Sequence, residues 1–346
     1  MPEKRTLDFC RKGRGMGYKA GRMPTVRCFA LSRGASGRAG RMENSLSPKL
    51  TTDLHRMITT KNQAGVPDRE WDHVVSSKRS LLDLRLREIW SYRDLIYLFV
   101  KRDFVATYKQ TILGPLWFLI QPVLSTLVFT IIFGNIAKLP TDNIPPFLFY
   151  LCGLVAWSYF AECLNKSAST FSGNAGIFSK VYFPRLTVPI ANAITNLITF
   201  GIQFGLFLAV LAFFTWKGAP IHTSWRVVVL PLLVLQMAML GIGFGCIVSS
   251  LTTRYRDLAL LLGFFVQLWM YASCVLFPLS LYPRQWHWIL VLNPMVPVIE
   301  SFRFAFLGAG TVELYQLLSG ATVSLAVFLV GIVIFRRVES TFSDTI

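Results

Sequence analysis

Six long stretches of this chain carry no charged residue. They cover positions 110–137, 143–161, 186–216, 227–253, 258–283 and 314–335, with lengths of 28, 19, 31, 27, 26 and 22 residues. A helix rises about 1.5 Å per residue and a bilayer core is about 30 Å thick, so about 20 apolar residues cross it. Five runs pass that test and 143–161 is marginal. The apolar runs are continuous rather than alternating, which predicts helices and not barrel strands. A soluble domain would place charge on the solvated face of its helices. The pattern therefore predicts an all-α integral membrane fold with six transmembrane helices. Gly114-Pro115 opens the first, and the others run over about 146–164, 186–214, 227–251, 258–277 and 314–335.

Two segments outside these runs are also patterned. Leu86, Ile89, Trp90, Ile96, Tyr97, Val100 and Phe104 fall on one helical face, widened by Leu95, Leu98 and Phe99. Arg87, Asp94 and Lys101 lie off that face, and Arg93 interrupts it. Ser91-Tyr92-Arg93-Asp94 has the spacing of an N-terminal cap, so a break and restart is expected near Ser91. A basic amphipathic helix before the first span belongs in the headgroup plane, with Trp90, Tyr92, Arg93 and Asp94 at its start. A helix packed on a protein partner is the other reading. Residues 278–313 connect the fifth and sixth spans, and their charge-free piece, 285–299, is interrupted by Pro294 and Pro297. That piece is too short to cross, and it predicts short re-entrant or gate helices.

Lys and Arg near span ends set the orientation. With the N-terminus inside, the inner side holds Lys101, Arg102, Lys109, Lys166, Lys180, Arg185, Arg254, Arg256, Arg336 and Arg337. The outer side holds only Lys138, Lys217, Arg226, Arg284 and Arg303. Both termini are thus expected in the cytoplasm.

Composition agrees, with 53% hydrophobic residues, 15% charged residues and a mean hydropathy of +0.49. Of the net charge of +17, residues 1–41 supply +9. The longest apolar stretch of this Gly/Arg-rich leader, 28–31, is too short for a signal-peptide core. A basic arm touching anionic lipid or nucleic acid is one reading. The favoured one is a disordered extension over 1–80, with translation from Met42 as a variant that leaves out 1–41. No aromatic-interleaved basic patch argues for nucleic acid. The folded domain is expected over 81–346. Of six cysteines, Cys10, Cys28, Cys152, Cys163, Cys246 and Cys274, the last four fall in or beside apolar runs and read as small core residues.

No enzyme constellation is present. The chain has no G-x-x-x-x-G-K-[ST] loop, so it does not bind ATP in that way. His55, His73, His222 and His287 are scattered, and none has metal-type spacing. No metal or cofactor is expected on this chain. Ionisable groups within spans are rare, with Glu162 near an inner boundary the one candidate, which argues against a proton-driven carrier. Polar residues do recur on single faces. These are Asn192, Thr195, Asn196, Thr199 and Gln203 in the third span, Trp117, Gln121 and Ser125 in the first, and Phe264, Gln267, Tyr271 and Cys274 in the fifth. Such stripes glue helices together or line a hydrated path. The pairs Gly201/Gly205 and Gly241/Gly245 are explained by close helix approach. Two short cytosolic loops, 179–186 and Arg254-Tyr255-Arg256-Asp257, sit where a cytosolic motor would push on the bundle.

These residues carry a resemblance. Tyr92-Arg93-Asp94-Leu95, Tyr108-Lys109-Gln110 with Leu113-Gly114-Pro115-Leu116-Trp117, the 179–186 loop, Arg254–Asp257, Phe277-Pro278-Leu279-Ser280 and Asn293-Pro294-Met295 follow one another in family order. The ordered set resembles the permease subunit of type-2 ABC exporters, in the branch that exports O-antigen, capsular polysaccharide and teichoic acid. It spans about 84–337, whereas the family usually begins with a shorter tail. The resemblance implies a homodimer in the bacterial inner membrane, bound to two cytosolic ATPase chains that hold ATP and Mg. It implies coupling to the ATPase through Tyr182, Phe183, Pro184 and Arg185, with Arg254, Tyr255, Arg256 and Asp257 beside them. A polymer on an undecaprenyl-type lipid would pass along the dimer interface, where Trp117, Gln121, Ser125, Gln267 and Tyr271 are candidate lining residues. Aromatic faces offer sugars weak, repeated contacts, which keep a polymer moving. Two alternatives remain: a permease of the same superfamily for drugs or small lipids, and a membrane-embedded glycosyl transferase.

Overall fold

The computed structural model describes residues 86–109, 114–178, 180–181, 183–221, 223–282, 292–310 and 314–343. The expected extension over 1–80 lies outside the described residues, as does the 283–291 part of the gate connection. Among the described residues every regular element is helical.

The amphipathic segment forms α1 (Leu86–Ser91) and α2 (Arg93–Lys109), broken at Tyr92 as the cap signal predicts. A 3₁₀ turn at Gly114–Leu116 leads into α3 (Trp117–Phe129), which continues as a π-helix over Thr130–Ile136. Pro122 lies inside α3, and Thr126 Oγ1 donates to the Pro122 carbonyl at 2.7 Å. Next come α4 (Pro146–Ala168), the short α5 (Thr170–Phe178) and α6 (Thr187–Trp216). After a 3₁₀ turn at Trp225–Val229 follow α7 (Leu230–Thr252) and α8 (Leu258–Ala272). The short α9 (Met295–Leu307) and the long α10 (Leu314–Ser343) complete the bundle.

Five helical stretches are long and apolar enough to cross a bilayer: Trp117–Ile136, Pro146–Ala168, Thr187–Trp216, Trp225–Thr252 and Tyr315–Glu339. They make this a multi-pass membrane protein. The fifth expected span is shorter than the charge-free run implied. Helix α8 stops at Ala272, and its 15 residues reach about 22 Å. The chain turns at Ser273, and Cys274 takes a φ of +57°. Cys274 is therefore off the expected helical stripe.

The run that looked marginal is the centre of the molecule. Helix α4 is 78% buried over its apolar window, against 11% for α3 and 22% for α6. It passes through the charged Glu162 and Lys166 that ended the apolar run in sequence. The core packs on it from α6, α7 and α9. Cys152, Cys163, Cys246 and Cys274 are free, buried thiols in this packing.

Glycines set the closest crossings. A Cβ on Gly241 would meet Cys163 Cβ at 2.7 Å, and one on Gly245 would collide with Ser167 Cβ, so α7 lies directly on α4. A Cβ on Gly331 would run into the Gly243 carbonyl oxygen, and one on Gly243 would meet Phe328 Cα at 2.8 Å. Helices α7 and α10 thus approach backbone to backbone. Gly201 and Gly205 differ from expectation. Nothing lies within 4 Å of a Cβ built on either, so close approach within this chain does not explain them.

Two substitutions separate these roles. Gly331→Val should force α7 and α10 apart and cost about 1–3 kcal/mol or more. Gly201→Val should leave the unfolding midpoint of the detergent-solubilised protein unchanged or slightly raised. Equal loss in both variants would remove the α7–α10 crossing as the cause.

Candidate functional site

A groove of about 640 Å³ runs between α3 and α8, floored by α4 and α6. The polar stripes converge here. Gln121 and Ser125 come from α3, Ser158, Glu162 and Lys166 from α4, Asn196, Thr199 and Gln203 from α6, and Gln267 from α8. Tyr271 is outside the lining, but its hydroxyl accepts the Gln267 Nε2–H at 3.1 Å, which ties it to the rim. Trp117 is half-exposed and also lies outside the lining. Gln121, Ser125 and Gln267 thus lie in one groove, and Tyr271 adjoins it through one hydrogen bond.

The α6 stripe does two things at once. Asn192 Nδ2 donates to the Lys166 carbonyl at 3.2 Å, Lys166 Nζ donates to Asn196 Oδ1 at 2.6 Å, and Ser158 Oγ donates to Gln203 Oε1 at 2.7 Å. These bonds fasten α6 to α4. They also hold Asn196 and Gln203 as fixed polar groups in the groove floor. Glu162 and Lys166 form a loose pair at 4.0 Å with side chains 54% and 43% exposed. Such an exposed pair contributes little stability. Its place is the end of the groove nearest α5, whose Phe171 N–H donates to Ser249 Oγ of α7 at 3.4 Å.

The loop between α5 and α6 is folded into the chain. Phe183 is buried, with its ring 5.7 Å from Phe99 of α2 and 5.6 Å from Phe178 of α5. Arg185 is also buried. Its guanidinium lies over the Phe171 and Phe178 rings, its Nη1 donates to the Glu339 carbonyl at 3.4 Å, and its backbone N–H donates to Glu339 Oε1 at 3.2 Å. The amphipathic helix, the loop and the end of α10 are therefore clamped together. Pro184 is half-buried, and its carbonyl accepts the Thr187 hydroxyl. Tyr182 lies outside the described residues. Lys180 and Val181 are the exposed members of this loop. Arg254, Tyr255, Arg256 and Asp257 are all exposed, with the Arg254 guanidinium 5.6 Å from the Tyr255 ring centre. On α1 and α2, Trp90, Arg93 and Asp94 are exposed and Tyr92 is half-buried against the Phe99–Phe183 cluster.

At the other end of the groove is a site that the sequence pattern missed. Glu300 and Arg303 of α9 are each only 1% exposed, and Arg303 Nη1 lies 3.3 Å from Glu300 Oε1. Counting charge near span ends treated Arg303 as a surface residue. Arg303 instead donates to the carbonyls of Cys274 at 2.7 Å and Val275 at 2.6 Å, the groups released where α8 stops. Its guanidinium stacks 3.7 Å from the Phe149 ring centre, and a Cβ on Gly153 would stand 2.9 Å from Nη2. Glu300 Oε1 accepts the Leu279 N–H at 3.2 Å. Burial pushes the Glu300 carboxyl above the ordinary carboxylate range, and the Arg303 guanidinium opposes that shift. Asn293 completes the join. Its amide donates to the Ala272 carbonyl and Ser273 Oγ, and its Oδ1 accepts from Trp269 Nε1 and the Met295 N–H. The spacing Glu-x-x-Arg, one helical turn, was the available signal.

A family model described as ABC-2 type transporter matches residues 94–307. The chain belongs to this family. Curated relatives agree along most of their length. An O-antigen export system permease protein RfbA from Myxococcus xanthus is 29% identical over 75% of this chain and 98% of its own length. An RfbA of Klebsiella pneumoniae is 28% identical, over 72% of this chain and 94% of its own. The polysialic acid transport protein KpsM of Escherichia coli is 24% identical, over 69% and 91%. The family match runs from α2 to the end of α9, so it includes the groove, the clamped loop and the buried ion pair.

The ion pair makes a graded prediction. Arg303→Ala should lower stability by about 3–5 kcal/mol, because it strands a buried carboxylate and two carbonyls. Arg303→Lys should recover only part of this, since an ammonium lacks the planar fork that reaches both carbonyls. Unfolding midpoints in detergent give the order. A lysine variant as stable as the parent would show that charge alone suffices.

Proposed function

We propose that this chain is the membrane permease of an ATP-driven exporter of lipid-linked surface polysaccharide, such as O-antigen, capsule or teichoic acid, across the bacterial inner membrane. The export of O-antigen and polysialic acid for which the relatives are named supports the substrate class, and one observation carries the mechanism. The groove between α3 and α8 joins fixed polar groups to apolar rings and is open on one side. Its two flanking helices lack partners along much of their length. Leu124, Leu127, Val128, Ile131 and Ile132 of α3 and Leu260, Leu261, Phe264 and Phe265 of α8 are exposed.

A second copy of the chain placed against these faces would close the groove into a path shared by the two subunits. Amide and hydroxyl groups there match sugar hydroxyls, and aromatic faces match sugar C–H faces. Each contact is weak, so a long polymer binds at many points and is held at none.

The basic end of the bundle faces the cytoplasm in this reading, with both termini there. Lys180, Val181 and Arg254–Asp257 form the surface offered to a cytosolic ATPase, which holds ATP and Mg. Phe183, Pro184 and Arg185 act one step behind that surface. They fix the loop to α2, α5 and α10, so a push on the loop moves the bundle. Helices α1 and α2 lie in the headgroup plane with Trp90, Tyr97 and Leu98 outward.

Loss of function, turnover by the isolated chain and single substitutions test this. Loss of the gene should remove a surface polysaccharide while its lipid-linked polymer accumulates inside, and accumulation of a small exported compound instead would sink the polymer reading. The purified chain alone should turn over no ATP. Ser125→Trp, which fills the groove without touching the clamped loop, should cut export about tenfold or more at equal membrane insertion. Lys180→Glu should weaken ATPase association and leave the unfolding midpoint intact, whereas Phe183→Ala should lower that midpoint by about 3–5 kcal/mol equivalent.

A further inference from the structure

The end of the bundle away from α2 carries an unusual pair of cations. Lys217 closes α6, and its Nζ lies 4.6 Å from the Phe213 ring centre. Arg226 lies in the 3₁₀ turn before α7, and its guanidinium lies 4.6 Å from the Phe304 ring centre. Each follows a nearly bare tryptophan, Trp216 at 85% and Trp225 at 81% exposure. Among the described residues neither cation has a carboxylate partner. Exposed tryptophans with stacked cations are the chemistry of a membrane–water boundary.

Beside Arg226 the surface opens into a cavity of about 380 Å³ with mainly apolar walls. Trp225, Val229, Leu233, Phe304 and Leu317 line it. Small-molecule sites have volumes of roughly 300–1,000 Å³, so this is large enough for part of an acyl chain. The rim is built rigidly. Ser224 N–H donates to the Ala305 carbonyl at 3.0 Å, Thr223 Oγ1 donates to the Phe306 carbonyl at 3.2 Å, and Arg226 N–H donates to Ser224 Oγ at 3.4 Å. These bonds pin the Arg226 backbone to the last turn of α9. The Arg226 guanidinium lies over the Phe304 ring with no carboxylate partner among the described residues, so it has N–H groups to offer a ligand. Their planar fork matches two oxygens of a phosphodiester.

We propose that this cavity binds one anionic phospholipid. The acyl chain lies against Val229, Leu233 and Leu317, and the phosphate meets Arg226. Charge complementarity favours an anionic headgroup, and the apolar wall favours a lipid over a soluble phosphate. With the orientation proposed above, the lipid belongs to the outer leaflet. The site is separate from the groove and does not depend on what the groove carries.

The test uses the full chain in non-ionic detergent and reads bound lipid by native mass spectrometry. Dioleoyl phosphatidylglycerol should be retained about tenfold more than dioleoyl phosphatidylcholine, which has the same phosphodiester but brings a quaternary ammonium beside the Arg226 cation and so loses the net attraction. Arg226→Gln should bring the anionic lipid down to the zwitterionic level. Val229→Trp should lower both lipids by filling the cavity. Millimolar glycerol 1-phosphate should displace neither. Equal retention of the two lipids, full retention by Arg226→Gln, or displacement by glycerol 1-phosphate would each overturn the proposal. Should Arg226→Gln give no monodisperse protein, the comparison of the two headgroups on the unaltered chain decides.

Discussion

One guanidinium joins α4, α9 and the turn after α8. In the turn after α8 the Cys274 and Val275 carbonyls belong to fully buried residues, and an unsatisfied buried carbonyl costs about 1–3 kcal/mol or more. Arg303 supplies both with donors. The same group needs a counter-charge and a place to lie, and these come from elsewhere. Glu300 gives the charge one turn back on α9, Phe149 of α4 gives a ring face, and Gly153 gives the space. The buried ion pair is therefore the substitute for the missing last turns of a spanning helix. It also fixes α9 against the central helix, and through Leu279 it fixes the 3₁₀ turn at Leu279–Leu281.

This explains why the spans were legible in the sequence and their ends were not. Absence of charge marks what lies in lipid, and it located α6, α7, α3 with its π-helix and the start of α10 to within a few residues, while α10 runs eight residues past the expected end at 335. It failed in both directions where protein, not lipid, surrounds the backbone. Helix α4 continues through Glu162 and Lys166 because Asn192 and Asn196 of α6 satisfy groups around Lys166. Helix α8 stops early in an uncharged run, and the turn that follows is held by Arg303, far along the chain, through the Cys274 and Val275 carbonyls. Both outcomes depend on contacts distant in sequence, and a local window carries no trace of them.

The groove was more legible than the loop that is proposed to drive it. Polar residues at helical spacing inside apolar runs have few reasons to exist, and Gln121, Ser125, Asn196, Gln203 and Gln267 do meet in space. Short basic loops have many reasons to exist. The structure distinguishes those residues by burial. Phe183 and Arg185 are enclosed by Phe99, Phe171 and Phe178, while Lys180, Val181 and Arg254–Asp257 face outward. The glycine pairs divide in the same way. Gly241 and Gly245 resemble Gly201 and Gly205 in sequence, yet only the first pair is pressed against a neighbour.

The closest helix crossings are distributed unevenly around the groove. The α4–α7–α10 block is joined backbone to backbone at glycines, and contacts of that kind do not slide without breaking. Helices α3 and α8 lack such crossings. A Cβ on Gly263 of α8 would meet nothing within 4 Å, and α3 contains both Pro122 and the Thr130–Ile136 π-helix, which weaken its regular hydrogen bonding. The two walls of the groove are thus the two helices least committed to the core. Each is nonetheless tethered at the end away from the clamped loop. Gly134 lets α3 press on Pro146, and Arg303 with Asn293 holds the end of α8. Between those ends each wall still rests on the core, α3 through the Phe129–Tyr150 ring pair and α8 through Trp269 against Trp157, Phe160 and Phe244. The polar floor on α4 and α6 is held in register by its own hydrogen bonds, independently of both walls.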